Sequence, residues 1–231
     1  MIKNKIITAG ALAALAVTTN AATTSVNFTE GAANQQLIAT TIAGLDAQSN
    51  WNNTTGQSGT LAALNDSDGN ATGASVTWSS GGTWRDGVAT ADANADVGDA
   101  QLAHGYLDDH SGGTPQEVVI GVTGISYTTY SLILYYSTDT DGDEYGAALV
   151  NGGSYNTTGT KSRYVNPNWN ATNSFTVTGL SGDLNIEVSP RAGATRGSVA
   201  GFQIVDTTIP EPSSTALLGL GGLALIMRRK K

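Results

Sequence analysis

Val118-Val119-Ile120-Gly121-Val122-Thr123 and, shortly after it, Tyr130-Ser131-Leu132-Ile133-Leu134-Tyr135-Tyr136 decide the fold class of this chain. In the first, Val118, Ile120 and Val122 recur at every second position; in the second, Tyr130, Leu132, Leu134 and Tyr136 do the same. A two-residue period puts each set on one face of an extended strand. Phe175 with Val177, and Leu184, Ile186 and Val188, repeat the pattern, while the alternating partners Thr129, Ser131, Thr176, Thr178, Asn185 and Glu187 read as the solvent side of half-buried strands. Further strand candidates are Val26–Phe28, Leu37–Thr41, Ser75–Trp78, Gly146–Val150 and Phe202–Val205, set apart by Gly, Asn, Asp and Ser. Helical spacing is confined to Asp99–Leu107, where Ala100, Leu102, Ala103 and Tyr106 suit a short turn that Gly105 limits. Many short strands with turn residues between them predict an all-β chain, an antiparallel β-sandwich of jelly-roll type, with a barrel as the alternative.

The two ends read differently. Lys3 and Lys5, the apolar run Ile6–Val17 and the small-residue site Thr19-Asn20-Ala21 compose a secretory signal peptide over residues 1–21. At the other end, Pro210-Glu211-Pro212 precedes the nearly uninterrupted apolar run Ala216–Met227 and the basic stop Arg228-Arg229-Lys230-Lys231. That run is short for a bilayer, which takes roughly 20 residues at about 1.5 Å rise. The basic end stays on the cytoplasmic side by the positive-inside rule, leaving the domain outside. The cargo, residues 22–208, therefore sits between an N-terminal signal helix and a short C-terminal transmembrane helix in the tail, residues 209–231.

On those residues the tail resembles the PEP-CTERM sorting signal of Gram-negative bacteria, with Ile209 where many members of that family carry Val. The resemblance implies recognition by an exosortase, a membrane transpeptidase-like protease, after delivery by the secretion machinery. It also implies transient anchoring in the inner membrane, processing near Pro210, Glu211 and Pro212, and release or transfer to the cell envelope or extracellular matrix, often in bacteria that make exopolysaccharide.

Composition limits the cargo. No Cys is present, so no disulfide staples it, and its length suits one domain with a real core. Two of the 11 Lys and Arg lie in the signal and four in the tail, while 18 of the 19 acidic residues lie between, leaving the cargo at about −13. Arg85, Lys161, Arg163, Arg191 and Arg196 are too few and too dispersed for a phosphate-binding surface, so nucleic acid is excluded as a partner.

Three groups of residues carry candidate chemistry. Asp139, Asp141 and Asp143 alternate in Asp139-Thr140-Asp141-Gly142-Asp143-Glu144, a spacing that lets carboxylate oxygens converge on calcium; no other cofactor is expected. Asp66-Ser67-Asp68-Gly69-Asn70 repeats the theme, but neither completes an EF-hand: Glu144 and Ala71 stand where its Gly belongs, Val150 and Thr77 where its final Glu belongs. His104 and His110, the two histidines, flank Asp108 and Asp109, from which a metal or acid–base site can be drawn without any helical His-Glu-x-x-His pair behind it. Nucleophilic catalysis has no such support, since Cys and a Gly-x-Ser-x-Gly elbow are both missing. Trp51, Trp84 and Trp169 lie among Asn, Thr, Arg and Asp, and an apolar ring face with a polar rim is what binds a sugar; plugging the sandwich core is the competing use.

The patches Gln48-Ser49-Asn50-Trp51-Asn52-Asn53, Ser75-Val76-Thr77-Trp78, Gly105-Tyr106-Leu107-Asp108 and Gly201-Phe202-Gln203-Ile204-Val205 are similar in layout to galactose-binding-like and other carbohydrate-binding modules. The expectation is a non-catalytic, exported envelope or matrix protein that binds polysaccharide. Two alternatives stand beside it: a purely structural or adhesive matrix protein, and a secreted carbohydrate-active enzyme, which needs convergent buried acids.

Overall fold

Fifteen short strands, one α-helix and one 3-10 turn (Ala33–Gln35) follow one another in the computed structural model, which describes residues 21–85, 97–111, 114–139, 147–157, 169–189 and 197–208. The strands are β1 (Thr23–Thr29), β2 (Asn52–Thr55), β3 (Ser58–Leu61), β4 (Ser75–Ser79) and β5 (Gly82–Arg85). Helix α1 (Val97–His104) then leads directly into β6 (Gly105–Asp108), β7 (His110–Ser111), β8 (Thr114–Pro115), β9 (Val118–Thr123) and β10 (Tyr130–Tyr136). The chain continues through β11 (Ala147–Val150), β12 (Gly153–Tyr155), β13 (Ser174–Leu180), β14 (Leu184–Ser189) and β15 (Val199–Asp206). The expected signal helix and transmembrane helix fall outside the described residues. Among the described residues, no helix is long and apolar enough to cross a membrane.

Two sheets form a β-sandwich. One runs β13-β10-β15-β1-β2, with β6 joined to the start of β15 and β5 outermost on β6; the other runs β12-β11-β14-β9-β4-β3. Nearly every pairing is antiparallel, as the sequence predicts, but β1 and β2 pair in parallel, Val26 opposite Asn52 and Thr29 opposite Thr55. The long connection between these two strands makes the parallel pairing reachable, since parallel neighbours need a crossover that a tight turn cannot supply. Leu37–Thr41, expected as a strand, belongs to that connection and is irregular, with a turn closed by the Thr41 N–H on the Ile38 carbonyl at 2.8 Å.

The inner core lies between the sheets and contains the residues whose period gave the strands away: Val118, Ile120 and Val122; Tyr130, Leu132, Leu134 and Tyr136; Leu184, Ile186 and Val188. Each such side chain stabilises the fold by about 1.5–3 kcal/mol when fully buried. A second apolar cluster covers the opposite face of the β10–β15–β1 sheet and comprises Leu37, Ala43, Trp51, Ala100, Leu102, Ala103, Tyr106, Ile133, Tyr135, Trp169 and Ala200. The half-buried expectation is therefore corrected for β10: Ser131, Ile133 and Tyr135 on its supposed solvent side are buried too. Strand β9, by contrast, keeps one face inward and the other partly open.

Helix α1 and the β1–β2 connection supply the cover over the outer face. They approach so closely that a Cβ on Gly98 would lie 1.8 Å from the Ile42 carbonyl oxygen. Gly105 ends the helix and begins β6 against β1, where a Cβ would sit 2.9 Å from the Phe28 carbonyl oxygen. Residues Ala21–Thr208 form a single compact unit containing both cores.

Candidate functional site

Among the described residues, β5 is the outermost strand of its sheet and pairs only with β6, Trp84 opposite Tyr106 and Gly82 opposite Asp108. Opposed residues share a face, and alternate residues along a strand return to it. Tyr106 belongs to the outer core and Leu107 to the inner one, so Trp84, Tyr106 and Asp108 share the outer face. There Trp84 is 50% exposed, beyond the helix and loop that close over its neighbours. Arg85 beside it reaches Glu30 at 3.7 Å, an exposed ion pair that contributes little to stability. Asp108 stands diagonally across from Trp84, which in an antiparallel pair is a separation of about 7–8 Å.

Beyond β6 the chain turns through Asp109 into His110. Asp109 is fully buried; its Oδ1 meets His110 Nδ1 at 2.8 Å and its Oδ2 accepts the Gly197 backbone N–H. Its backbone carbonyl takes the Gln116 N–H, so side chain and main chain are both fixed. His110 is partly exposed, and one ligand atom from each of Asp108, Asp109 and His110 lies within 4.8 Å of the other two. His104 does not join them: it is 2% exposed at the end of α1, with Nε2 3.3 Å from Asn34 Nδ2.

The other candidate residues are distributed as follows. Trp51 and Trp169, expected at a glycan contact, are core side chains at 5% and 7% exposure. Both pack on Tyr135, with ring centroids 6.2 Å and 4.6 Å away, and both indoles find acceptors, Trp51 on the Gln48 carbonyl at 3.0 Å and Trp169 on Asp99 at 3.0 Å. Their Asn-rich neighbours made them look like surface residues, but the outer sheet face needs large aromatic cover. Asp139 is partly buried just past β10, on the same end of the sheet as Asp108, since Tyr136 and Leu107 both pair with Val199. Asp141 and Asp143 lie outside the described residues, as do Pro210, Glu211 and Pro212. The Asp66 carboxylate is taken up by its own turn, accepting the Asp68 and Asn70 N–H groups at 3.0 and 2.8 Å.

Sequence reasoning passed over the polar seam beneath the outer cover. Tyr135 donates to Gln203 Oε1 and accepts the Leu45 N–H at 2.7 Å, while Gln203 Nε2 donates to the Asp46 carbonyl at 2.7 Å. Asp99 accepts the Gly44 N–H at 2.7 Å as well as the Trp169 indole. Burial raises the Tyr135 phenol well above its ordinary range, assisted by the charges of Asp99 and Asp46 and opposed by the backbone hydrogen bonds from Leu45 and Asp46. The available signal was Ile133 and Tyr135, two large apolar side chains at positions that the alternation assigned to solvent.

Against known proteins, the chain's tail matches the PEP-CTERM protein-sorting motif over residues 208–231. No curated protein and no solved structure matches the chain. The matched residues hold the Pro-Glu-Pro, apolar and basic elements in order, and the motif marks an exported protein that an exosortase sorts after transient membrane anchoring.

Proposed function

We propose that the sandwich is a non-catalytic polysaccharide-binding module, of the jelly-roll kind that galactose-binding-like domains represent, presented at the cell envelope or in the extracellular matrix of a Gram-negative bacterium after sorting. The observation that carries this reading is Trp84, half-exposed on an outermost strand while Trp51 and Trp169 are buried. A sugar ring stacks its C–H face on an indole and satisfies its hydroxyls at the rim, where Asp108 stands on the same face. Stacking, and not charge, supplies the affinity, because a cargo of about −13 repels acidic polymers. A non-catalytic role fits Asp109, whose two oxygens are occupied by His110 and the Gly197 N–H. A carbohydrate-active enzyme would require a carboxylate free to transfer a proton at a cleft.

Pull-down on neutral and acidic polysaccharides, with the wild type beside Trp84→Ala, tests the reading. Retention on at least one neutral polymer is expected, with a loss of tenfold or more in the variant and an unchanged melting temperature. If the wild type is not retained on any polymer, or the variant is retained equally, the domain is a structural or adhesive matrix element and Trp84 is an ordinary surface residue.

A further inference from the structure

We propose that Asp108, Asp109 and His110 form a binding site for a divalent transition-metal ion of the zinc or manganese kind, next to the proposed glycan contact at Trp84, with which it shares Asp108. The spacing is already close to that of a coordination shell. His110 Nδ1 and Asp109 Oδ1 are 2.8 Å apart, and adjacent ligands on an octahedral ion with bonds of about 2.1 Å lie about 3.0 Å apart. An ion that replaces the proton between these atoms needs them to part only slightly. The third ligand atom, from Asp108, is within 4.8 Å of both.

Charge points the same way. Asp109 is fully buried, and among the described residues His110 is the one group beside its carboxylate able to carry positive charge. Buried carboxylates are compensated by a cation or neutralised, and an ion held at Oδ1 supplies that compensation in full. The frame is also fixed before any ion arrives. The Gly197 N–H holds Oδ2, the Gln116 N–H holds the Asp109 carbonyl, and Gly81 lets its backbone approach until a Cβ there would be 2.8 Å from the His110 carbonyl carbon. Two carboxylates with one imidazole favour zinc or manganese over calcium or magnesium, which prefer all-oxygen shells. Three protein ligands leave further coordination positions to water or a ligand oxygen.

The test uses the untagged full-length protein in mild detergent, freed of metal with EDTA and titrated calorimetrically with zinc. One ion per chain is expected, with a melting temperature that rises with zinc concentration as linkage requires. His110→Ala should weaken binding at least tenfold, and His104→Ala should leave it unchanged. If His110→Ala fails to fold, Asp108→Asn is judged by the same tenfold criterion, since it keeps the Asp109–His110 contact and removes one ligand charge. Absence of zinc binding by the wild type, or equal affinity in the folded ligand variant, overturns the site.

Discussion

Trp169 packs on Tyr135 at 4.6 Å and donates its indole N–H to Asp99, so one side chain joins the segment before β13, the central strand β10 and helix α1. Truncating it opens a cavity and removes one of the two donors on Asp99 Oδ1, leaving the Gly44 N–H. Trp169→Ala is expected to lose about 3–5 kcal/mol in urea unfolding, the range for large aromatic truncations in cores, and a loss below about 1 kcal/mol would place the ring at the surface. The buried tyrosines give a second prediction at this scale. Burial, with the charge of Asp183 adding to it, pushes the Tyr130 phenol up to about 12, and burial also raises Tyr127 and Tyr135. Below an unfolded value of about 10 both states keep these protons, so the contribution is complete there. Above it the unfolded chain releases protons that the folded chain retains, so stability falls as pH rises from about 10 towards 12. The melting temperature should therefore drop between pH 9 and pH 11.5, and a constant value would contradict the buried phenols.

At the scale of elements, α1 and the connection between β1 and β2 determine how the outer sheet face is closed. Gly98 permits their contact, because any side chain there meets the Ile42 carbonyl. Gly98→Ala should loosen this cover while leaving the sandwich between the sheets intact, despite alanine's better helix propensity. Hydrogen exchange would then speed up at Gly44 and Leu45, whose N–H groups are held by Asp99 and Tyr135, with little change in β9 and β14. Uniform exchange across both regions would mean that the cover is not a separable layer. The same layer marks where sequence reading succeeded and stopped. β9 and β14 were legible because each buries one face, so period two survives in Val118, Ile120 and Val122 and in Leu184, Ile186 and Val188. In β10 both faces are buried, so the period read in Tyr130, Leu132, Leu134 and Tyr136 showed the strand but assigned Ser131, Ile133 and Tyr135 to solvent wrongly. The parallel β1–β2 pairing depends on where the chain returns in space, which local pattern does not encode; Asp108, Asp109 and His110 are neighbours in the chain and were legible as a group, whereas the separation of His104 from them was not. Trp84 was legible as a candidate, yet its neighbours in sequence resembled those of Trp51 and Trp169, and only the outermost position of β5 separates them.

For the whole molecule, the sandwich and the sorting motif have different tasks, and the motif determines where the sandwich acts. Residues 208–231 match a signal that is read at a membrane, and the compact unit ends at Thr208, where that match begins. The last strand β15 is tied to the first residues of the unit, the Asp206 N–H on the Ala22 carbonyl at 2.9 Å, so the sheet is closed without the tail. Among the described residues, both cores lie within Ala21–Thr208. Intact-mass measurement of the protein recovered from the envelope or the medium tests this account most directly. The expected species lacks the signal peptide through Ala21 and is cut near Pro210-Glu211-Pro212; a final product that still carries Arg228 to Lys231 would contradict it.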